Sequence, residues 1–508
     1  MRLTPPIGMA ATLALLAPAT PALADLTAVD VWTEWKNLAS SFDQTIETES
    51  ETQSGNVLTI RGFSSTIALP EDGGTVTGTL DEIVFEERGD GTVSITMSPE
   101  YPFTMTGLDP EGGEASLDMV IRQTGLTIVV SGEPGTTSYD YLAPELQIAL
   151  DGMEVDDEAI DLVMQGTMDT VTGSYSVTEA VPRQIDSTFA AEEIAVTFSG
   201  TDPEGNGDSV RGELTYADVT SSSTSTGMTF ANMADLAGML SAGFTSSGGL
   251  SHGAASYTIN GTGPDGTFNL DGAAASGSIE VALAPEGVRY TVANTGTILS
   301  FSGSDIPFPQ VGLTIAESGG EFRMPIQQSD TPQDFGLKLD LVDLGIDEAI
   351  WSLFDPAESL PRDPATLILD IAGTGFWNFD ITNPDAAVEF ESSGGMPGEV
   401  QSLDLQSLLL RVVGAELTGS GAFTFDNTDL STFDGMPAPD GAIDLQLTGA
   451  NGLLDTLVAM GLLPDDQAMG ARMMLGLFAR PGDGPDTLVS RIEVLPDGSV
   501  SANGQRLR

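Results

Sequence analysis

Side chains able to carry out nucleophilic or metal chemistry are scarce in this sequence. His252 is the only histidine among 508 residues, and cysteine is absent. Ser-His or Cys-His catalysis and His-rich zinc sites would all depend on that one residue. His252 lies in the Gly/Ser-rich segment 248–253, which predicts a solvated loop. Carboxylate neighbours such as Glu86 and Glu87 are expected by chance among 75 acids, so they nominate no hydrolytic pair. We therefore predict that the protein is not an enzyme.

One segment carries oxygen-bearing side chains at the spacing of a calcium-binding loop. Within residues 202–213, acids or an amide occupy loop positions one, three, five, seven and twelve, and Gly207 occupies position six. The flanking segments 194–198 and 214–216 alternate like strands instead of helices, so an ordinary Gly/Asp-rich hairpin turn is the competing interpretation. The candidate metal ligands are Asp202, Glu204, Asn206, Asp208 and Glu213. We expect no cofactor other than this candidate calcium ion.

The first 24 residues have the order of a secretory signal peptide. Arg2 precedes the apolar run 9–17, and Ala22-Leu23-Ala24 forms a small-x-small cleavage site. No later segment has the roughly 18 apolar residues that a membrane-spanning helix needs. The sequence therefore predicts export to the periplasm, with no transmembrane segment in the mature chain.

The charge of the chain excludes some partners. The formal net charge is −58, and the acids are scattered rather than gathered in one block. A field of this sign repels nucleic acid and anionic lipid headgroups and favours a solvated, folded surface. Without cysteine, stability must come from burial and strand pairing, because no disulfide can form.

The pattern of apolar residues and turns predicts a mainly β protein, built from one or more long, twisted antiparallel sheets. Ile83-Val84-Phe85 and Val93, Ile95 and Met97 form a hairpin pattern around Gly89-Asp90-Gly91. Further alternating runs predict strands. These runs are 117–121, 126–130, 146–150, 194–198, 337–341, 367–371 and 443–447.

A few amphipathic helices are predicted at the N-terminus, in the middle and at the C-terminus. The first begins at Thr27, whose side chain and that of Asp30 form a variant capping box. It places Val31, Trp35, Leu38 and Phe42 on one face. The remaining helices are predicted at 230–244, 347–354, 453–460 and 469–477.

The Ser/Thr tract Thr220–Thr226 has the composition of a linker. It suggests a division of the mature chain into residues 25–228 and 229–508, each opening with an amphipathic helix and continuing as strands. The sequence leaves open whether these halves are separate domains or one continuous sheet.

Two stretches carry resemblances to known families. The segment Leu26-Thr-Ala-Val-Asp-Val-Trp-Thr-Glu-Trp-Lys36, followed by a strand at Gly55–Leu58, resembles an uncharacterised alphaproteobacterial exported family, domain of unknown function 2125. The run Leu453–Leu463 and the closing segment Asp497–Gly504 are similar to the ends of AsmA-like envelope proteins. The second resemblance implies a long curved sheet whose apolar face holds lipid.

Two hypotheses follow for the function. The first is a non-enzymatic periplasmic envelope protein that binds a lipid or lipid-like ligand in an apolar groove of its sheet. The alternative is a structural or protein-interaction module, stabilised by calcium at residues 202–213.

Overall fold

A computed structural model gives the fold. It describes residues 26–508 except 42, 70–73, 109–112, 134, 157, 179–181, 203–206, 228–235, 265, 384, 385, 387, 389 and 391–395. The described helices are α1 Ala28–Ser41, α2 Leu236–Ser241, α3 Glu348–Phe354, α4 Ala450–Ala459 and α5 Asp465–Phe478.

The remaining regular structure is β-strand, as predicted. In the first half the strands are β1 Thr45–Glu47, β2 Ser50–Ser54, β3 Val57–Ala68, β4 Thr75–Glu87, β5 Val93–Met97, β6 Glu100–Leu108, β7 Glu114–Thr124, β8 Thr127–Glu133, β9 Thr136–Val155, β10 Glu158–Ala159, β11 Leu162–Thr178, β12 Gln184–Thr201 and β13 Ser209–Thr226. In the second half they are β14 Thr245–His252, β15 Ala255–Gly263, β16 Gly266–Ala274, β17 Ser276–Ala284, β18 Gly287–Gly303, β19 Val311–Met324, β20 Gln333–Ile346, β21 Ala365–Trp377, β22 Gly398–Val412, β23 Ala415–Asp426, β24 Ala438–Thr448, β25 Arg480–Pro481, β26 Thr487–Val494, β27 Val500–Ala502 and β28 Gln505–Arg506.

All of these strands belong to one antiparallel sheet, in which each strand pairs with strands that are close to it in the chain. Some positions in the sheet are filled by two short strands lying end to end. For example, β14 and β15 both pair with β13, and β16 and β17 both pair with β18. The predicted hairpin of β4 and β5 is confirmed, with Phe85 opposite Ile95. The sheet is a long up-and-down meander held together by local pairing.

A crease crosses the sheet about midway along its strands. Here single residues with positive φ are skipped in the pairing between strands. Among them are Gly62, Thr170, Asp218, Gly296 and Asp343. Thr170 is the least expected of them, because β-branched residues rarely adopt positive φ. Its hydroxyl donates a hydrogen bond to the Glu192 carboxylate across the ladder at 3.1 Å.

The crease shifts the alternation of side chains. Val171 and Met168 of β11 both pack in the core formed around Ala143 and Ala191. They are three residues apart, whereas side chains on one face of a regular strand are two residues apart. Val171 and Ala143 are fully buried between side chains from both flanks of the crease. We infer that the two flanks bend toward this face of the sheet.

The helices cover parts of that same face. The predicted capping box of α1 is confirmed, since the Thr27 hydroxyl accepts from Asp30 N at 3.1 Å and the Asp30 carboxylate accepts from Thr27 N at 3.1 Å. Trp32 of α1 is buried against Phe63 and Phe85. Phe42, also predicted on this helix, lies outside the described residues.

Two further helical regions pack on the sheet. Leu240 of α2 and Phe244 after it form a core with Ile326, against which Leu283 and Val288 pack. Of the helix predicted at 230–244, only the part from residue 236 is described. The C-terminal pair, α4 and α5, packs over the last strands.

Two sequence interpretations are wrong. The tract Thr220–Thr226 is no linker: it is the end of strand β13 and pairs with both β12 and β14. Thr is a good strand former and short hydroxyl side chains pair across strands, as Thr220 and Ser251 do at 2.8 Å. The sheet therefore continues without a break from β13 into β14 and β15.

His252 does not occupy a loop. It ends strand β14, is half-buried, and packs edge-on against Tyr216 with ring centroids 5.1 Å apart. The glycines that suggested a loop instead lie within the strand, where Gly248 and Gly249 pair with β13 and β17. His252 is thus a packing residue of the sheet.

Candidate functional site

The two faces of the sheet differ in chemistry, and the pairing register shows this directly. Six residues directly opposite one another on consecutive strands from β17 to β22 are all apolar, and we call them the apolar ladder. They are Val281, Tyr290, Phe322, Leu337, Ile371 and Leu405. A polar ladder runs beside it on the opposite face, one residue away on β17 to β21 and two residues away on β22, where the register shifts. Its members are Glu280, Thr291, Glu321, Lys338, Asp370 and Ser407.

Much of the apolar ladder is uncovered. Val281, Tyr290, Phe322 and Leu337 are 43%, 40%, 41% and 37% exposed, although they are neighbours on one face. Six strands at about 4.8 Å spacing make the ladder roughly 24 Å long. Contiguous exposed apolar surface of this kind marks a binding site more often than isolated exposed residues do.

Some aromatic rings of the sheet lie flat over glycines on the neighbouring strand. A Cβ on Gly272 would lie 2.1 Å from Cζ of Tyr257, and a Cβ on Gly261 would lie 2.0 Å from Cε1 of Phe268. Both pairs face each other across β15 and β16. The rings therefore lie over the neighbouring strand instead of standing upright, which leaves the surface above them open.

The apolar ladder leads into a cavity at the C-terminal end of the sheet. Leu405 is opposite Gly421, followed by Ile443 and Ile492 on the next strands. Ile492 lines a cavity of about 580 Å³ between the sheet and the helices α4 and α5. Its walls are apolar except for Ser490, whose hydroxyl donates to the Phe478 carbonyl at 2.6 Å.

A second cavity lies at the N-terminal end, beside α1. It measures about 640 Å³ and is lined by aromatic side chains, including Trp35, Tyr139 and Tyr175, together with charged groups. Burial raises the pKa of Tyr139, and the negative charge of Glu34 adds to this rise. Thr137 donates a hydrogen bond to Glu34 at 2.5 Å. The Tyr139 phenol therefore stays neutral and acts as a packing group.

The structure describes three of the candidate calcium ligands, Asp202, Asp208 and Glu213. Asp202 and Asp208 meet at the β12–β13 turn, where Asp202 N donates to the Asp208 carbonyl at 2.9 Å. Glu213 is exposed in β13 and lies opposite Thr197, about 13 Å along the strand from Ser209 at a rise of 3.3 Å per residue. Glu204 and Asn206 lie outside the described residues. Glu213 therefore lies apart from Asp202 and Asp208 along strand β13.

Asp202 and Asp208 line an open cavity with Asp161 and Asp305. The Oδ1 atom of Asp208 is buried there without a hydrogen-bond partner among the described residues. Within the described part of the chain, no group of three or more His, Cys, Asp or Glu side chains is placed to hold a metal ion. Metal binding at this turn stays a prediction.

Sequence reasoning did not single out the apolar ladder. Its signal is present as alternation, for instance in Ile279-Glu-Val281-Ala-Leu283 and Val288-Arg-Tyr290-Thr-Val292. Each run predicts a strand with one apolar face, but only the register between strands shows that these faces join. That register can be read from hairpin turns, here the short turn between β17 and β18 that sets Leu283 opposite Val288.

Fold and site together define a protein with one long antiparallel sheet and one apolar face partly capped by helices. Residues 253–505 match a family model described as "Uncharacterized protein conserved in bacteria (DUF2125)". The match supports membership of the DUF2125 family through the C-terminal half of the chain. The N-terminal segment 26–58, on which the family resemblance rested, lies outside the matched residues. A search of curated proteins finds no match. No helix in the described part of the chain is long and apolar enough to span a bilayer.

Proposed function

We propose that this chain is a non-enzymatic periplasmic protein that binds a lipid or lipid-like ligand on the apolar face of its sheet. The observation that carries the proposal is the apolar ladder: six opposed apolar residues, four of them about 40% exposed, with a polar ladder on the other side of the same strands. An acyl chain covering this surface would gain about 25 cal/mol for each Å² of apolar surface removed from water.

The dimensions of the sheet also favour an apolar ligand. The ladder is roughly 24 Å long, comparable to most of the hydrocarbon thickness of a bilayer, which is about 30 Å. Helix α2 packs beside this stretch, on Leu283 and Val288, but leaves the ladder side chains of β17 to β20 partly exposed. Helix α1 and the pair α4–α5 cover regions on either side of it along the sheet. The AsmA-like similarity of the C-terminal run points to the same class of ligand.

Export to the periplasm is part of the proposal and rests on the predicted signal peptide. N-terminal sequencing of protein from a periplasmic extract should show a chain beginning at Asp25, because cleavage is expected after Ala24. A cytoplasmic chain that retains Arg2 would overturn this part.

Native mass spectrometry of the protein purified from its own periplasm tests the ligand. We expect a surplus mass that disappears after solvent extraction, and binding of an apolar dye to the extracted protein. A bare mass together with absence of dye binding would refute lipid binding and favour the structural or interaction module.

A further inference from the structure

An apolar pocket, partly open to solvent, lies between the sheet and helices α4 and α5 at one end of the apolar face. We propose that it holds a single uncharged alkyl chain. This inference rests on the proposed function, because the cavity continues the apolar ladder through Gly421, Ile443 and Ile492. Its volume of about 580 Å³ lies within the range of roughly 300–1,000 Å³ found for small-molecule pockets.

The walls of the cavity define the chemistry of its occupant. Leu417, Leu447 and Leu488 line it from three adjacent strands, and Leu453 and Leu475 line it from the two helices. No charged side chain is among its lining residues.

A carboxylate or phosphate drawn inside would lose its hydration without gaining a partner, which is strongly unfavourable. The hydroxyl of Ser490, the one polar side chain in the lining, already donates to the Phe478 carbonyl. The net charge of −58 further disfavours an anionic headgroup at the mouth. The cavity therefore suits a hydrocarbon chain whose polar end, if present, is uncharged and stays outside.

One side chain marks the mouth. Met474 lines the cavity and is also 54% exposed, so it stands between the interior and solvent. An unbranched thioether can change rotamer to let a flexible chain pass. Helix α5 is anchored at its end, where Ser490 and Asn503 both donate to the Phe478 carbonyl. Entry is therefore expected beside Met474, one helical turn before that anchored end.

Filling the cavity tests the proposal, with a 16-carbon monoacylglycerol as the probe and calorimetry as the readout. Ala471→Trp fills the cavity from α5, and Met473→Trp places the same side chain on the exposed side of that helix. Ala415→Leu fills the cavity from β23, and Glu416→Leu changes the next residue, on the opposite face of that strand.

We expect the two filling variants to bind the probe at least about tenfold more weakly, because two buried methylene groups already account for such a factor. The two control variants should bind like the unaltered protein. Urea unfolding checks that each variant is folded. If Ala471→Trp does not fold, the binding measured for Ala415→Leu decides the outcome.

The outcomes separate this inference from the proposed function. If all four variants bind equally while Phe322→Ser on the apolar ladder loses binding, the chain lies on the open ladder alone and the cavity proposal is wrong. If the unaltered protein binds no monoacylglycerol and carries no apolar ligand, the proposed function fails as well.

Discussion

Replacing Phe322 by serine tests the apolar ladder most directly. Phe322 lies opposite Tyr290 on one side and Leu337 on the other, and it is 41% exposed. An aromatic side chain presents about 200 Å² in total, so about 80 Å² is available to a ligand. At about 25 cal/mol per Å², covering that area contributes about 2 kcal/mol to binding. We therefore expect Phe322→Ser to bind a 16-carbon monoacylglycerol about thirtyfold more weakly.

Isothermal titration calorimetry of the delipidated protein measures the effect. Glu321→Ser is the matched control, since this residue precedes Phe322 on β19 and belongs to the polar ladder. It should bind the probe with unchanged affinity. Because Phe322 is already well exposed, urea unfolding should show only a modest loss of stability in the Phe322 variant, so the affinity change reports the surface itself.

Equal affinity in Phe322→Ser and the unaltered protein would refute the reasoning that the exposed ladder contacts the ligand. A similar loss in Glu321→Ser would also count against it, because the effect would then not depend on the apolar face. Affinity lost in Phe322→Ser alone would support ligand contact at the centre of the ladder.

Three further predictions concern stability and metal binding. Trp32→Ala should lower the free energy of unfolding by about 3–5 kcal/mol in urea titrations, because Trp32 is 1% exposed in the α1 core; a loss below 1 kcal/mol would contradict this packing. Asp355 is fully buried; burial alone would raise its pKa, but the backbone N–H groups of Leu360 and Ser359 and the charge of Arg362 lower the pKa below its usual value. Stability from this carboxylate is therefore present above about pH 4 and lost as pH falls through the folded-state pKa, so Asp355→Asn should flatten the fall in melting temperature below about pH 4; an unchanged pH profile would argue against it. Glu213→Gln should leave any calcium-dependent rise in melting temperature unchanged, since Glu213 lies in β13 away from the turn; loss of such a rise would restore Glu213 as a ligand.

Local sequence patterns determined the secondary structure well. The hairpin around Gly89–Gly91, the capping box of Thr27 and Asp30, and the short helix predicted at 347–354 can all be read from the sequence and are confirmed. Each of these features depends on residues close together in the chain, where turn chemistry and capping hydrogen bonds act. The same locality explains why strand assignments succeeded for alternating runs.

Predictions made from local composition alone were wrong for two segments, because composition does not show which strands a segment pairs with. Thr220–Thr226 and the segment around His252 have linker or loop compositions, yet both form strands in the interior of the sheet. Serine, threonine and glycine are tolerated there because neighbouring strands on both sides supply the hydrogen bonds. Nothing within either segment specifies those neighbours.

The sequence by itself determined that the chain forms alternating strands with few helices, and that it holds a single histidine and no cysteine. Tertiary structure alone decided that the apolar sides of successive strands share one face, that residues with positive φ interrupt the pairing within several strands, and that α4 and α5 cover a pocket on that face. The physical reason is that alternation gives each strand an apolar side, whereas the register between strands and the packing of helices decide whether those sides join into one surface.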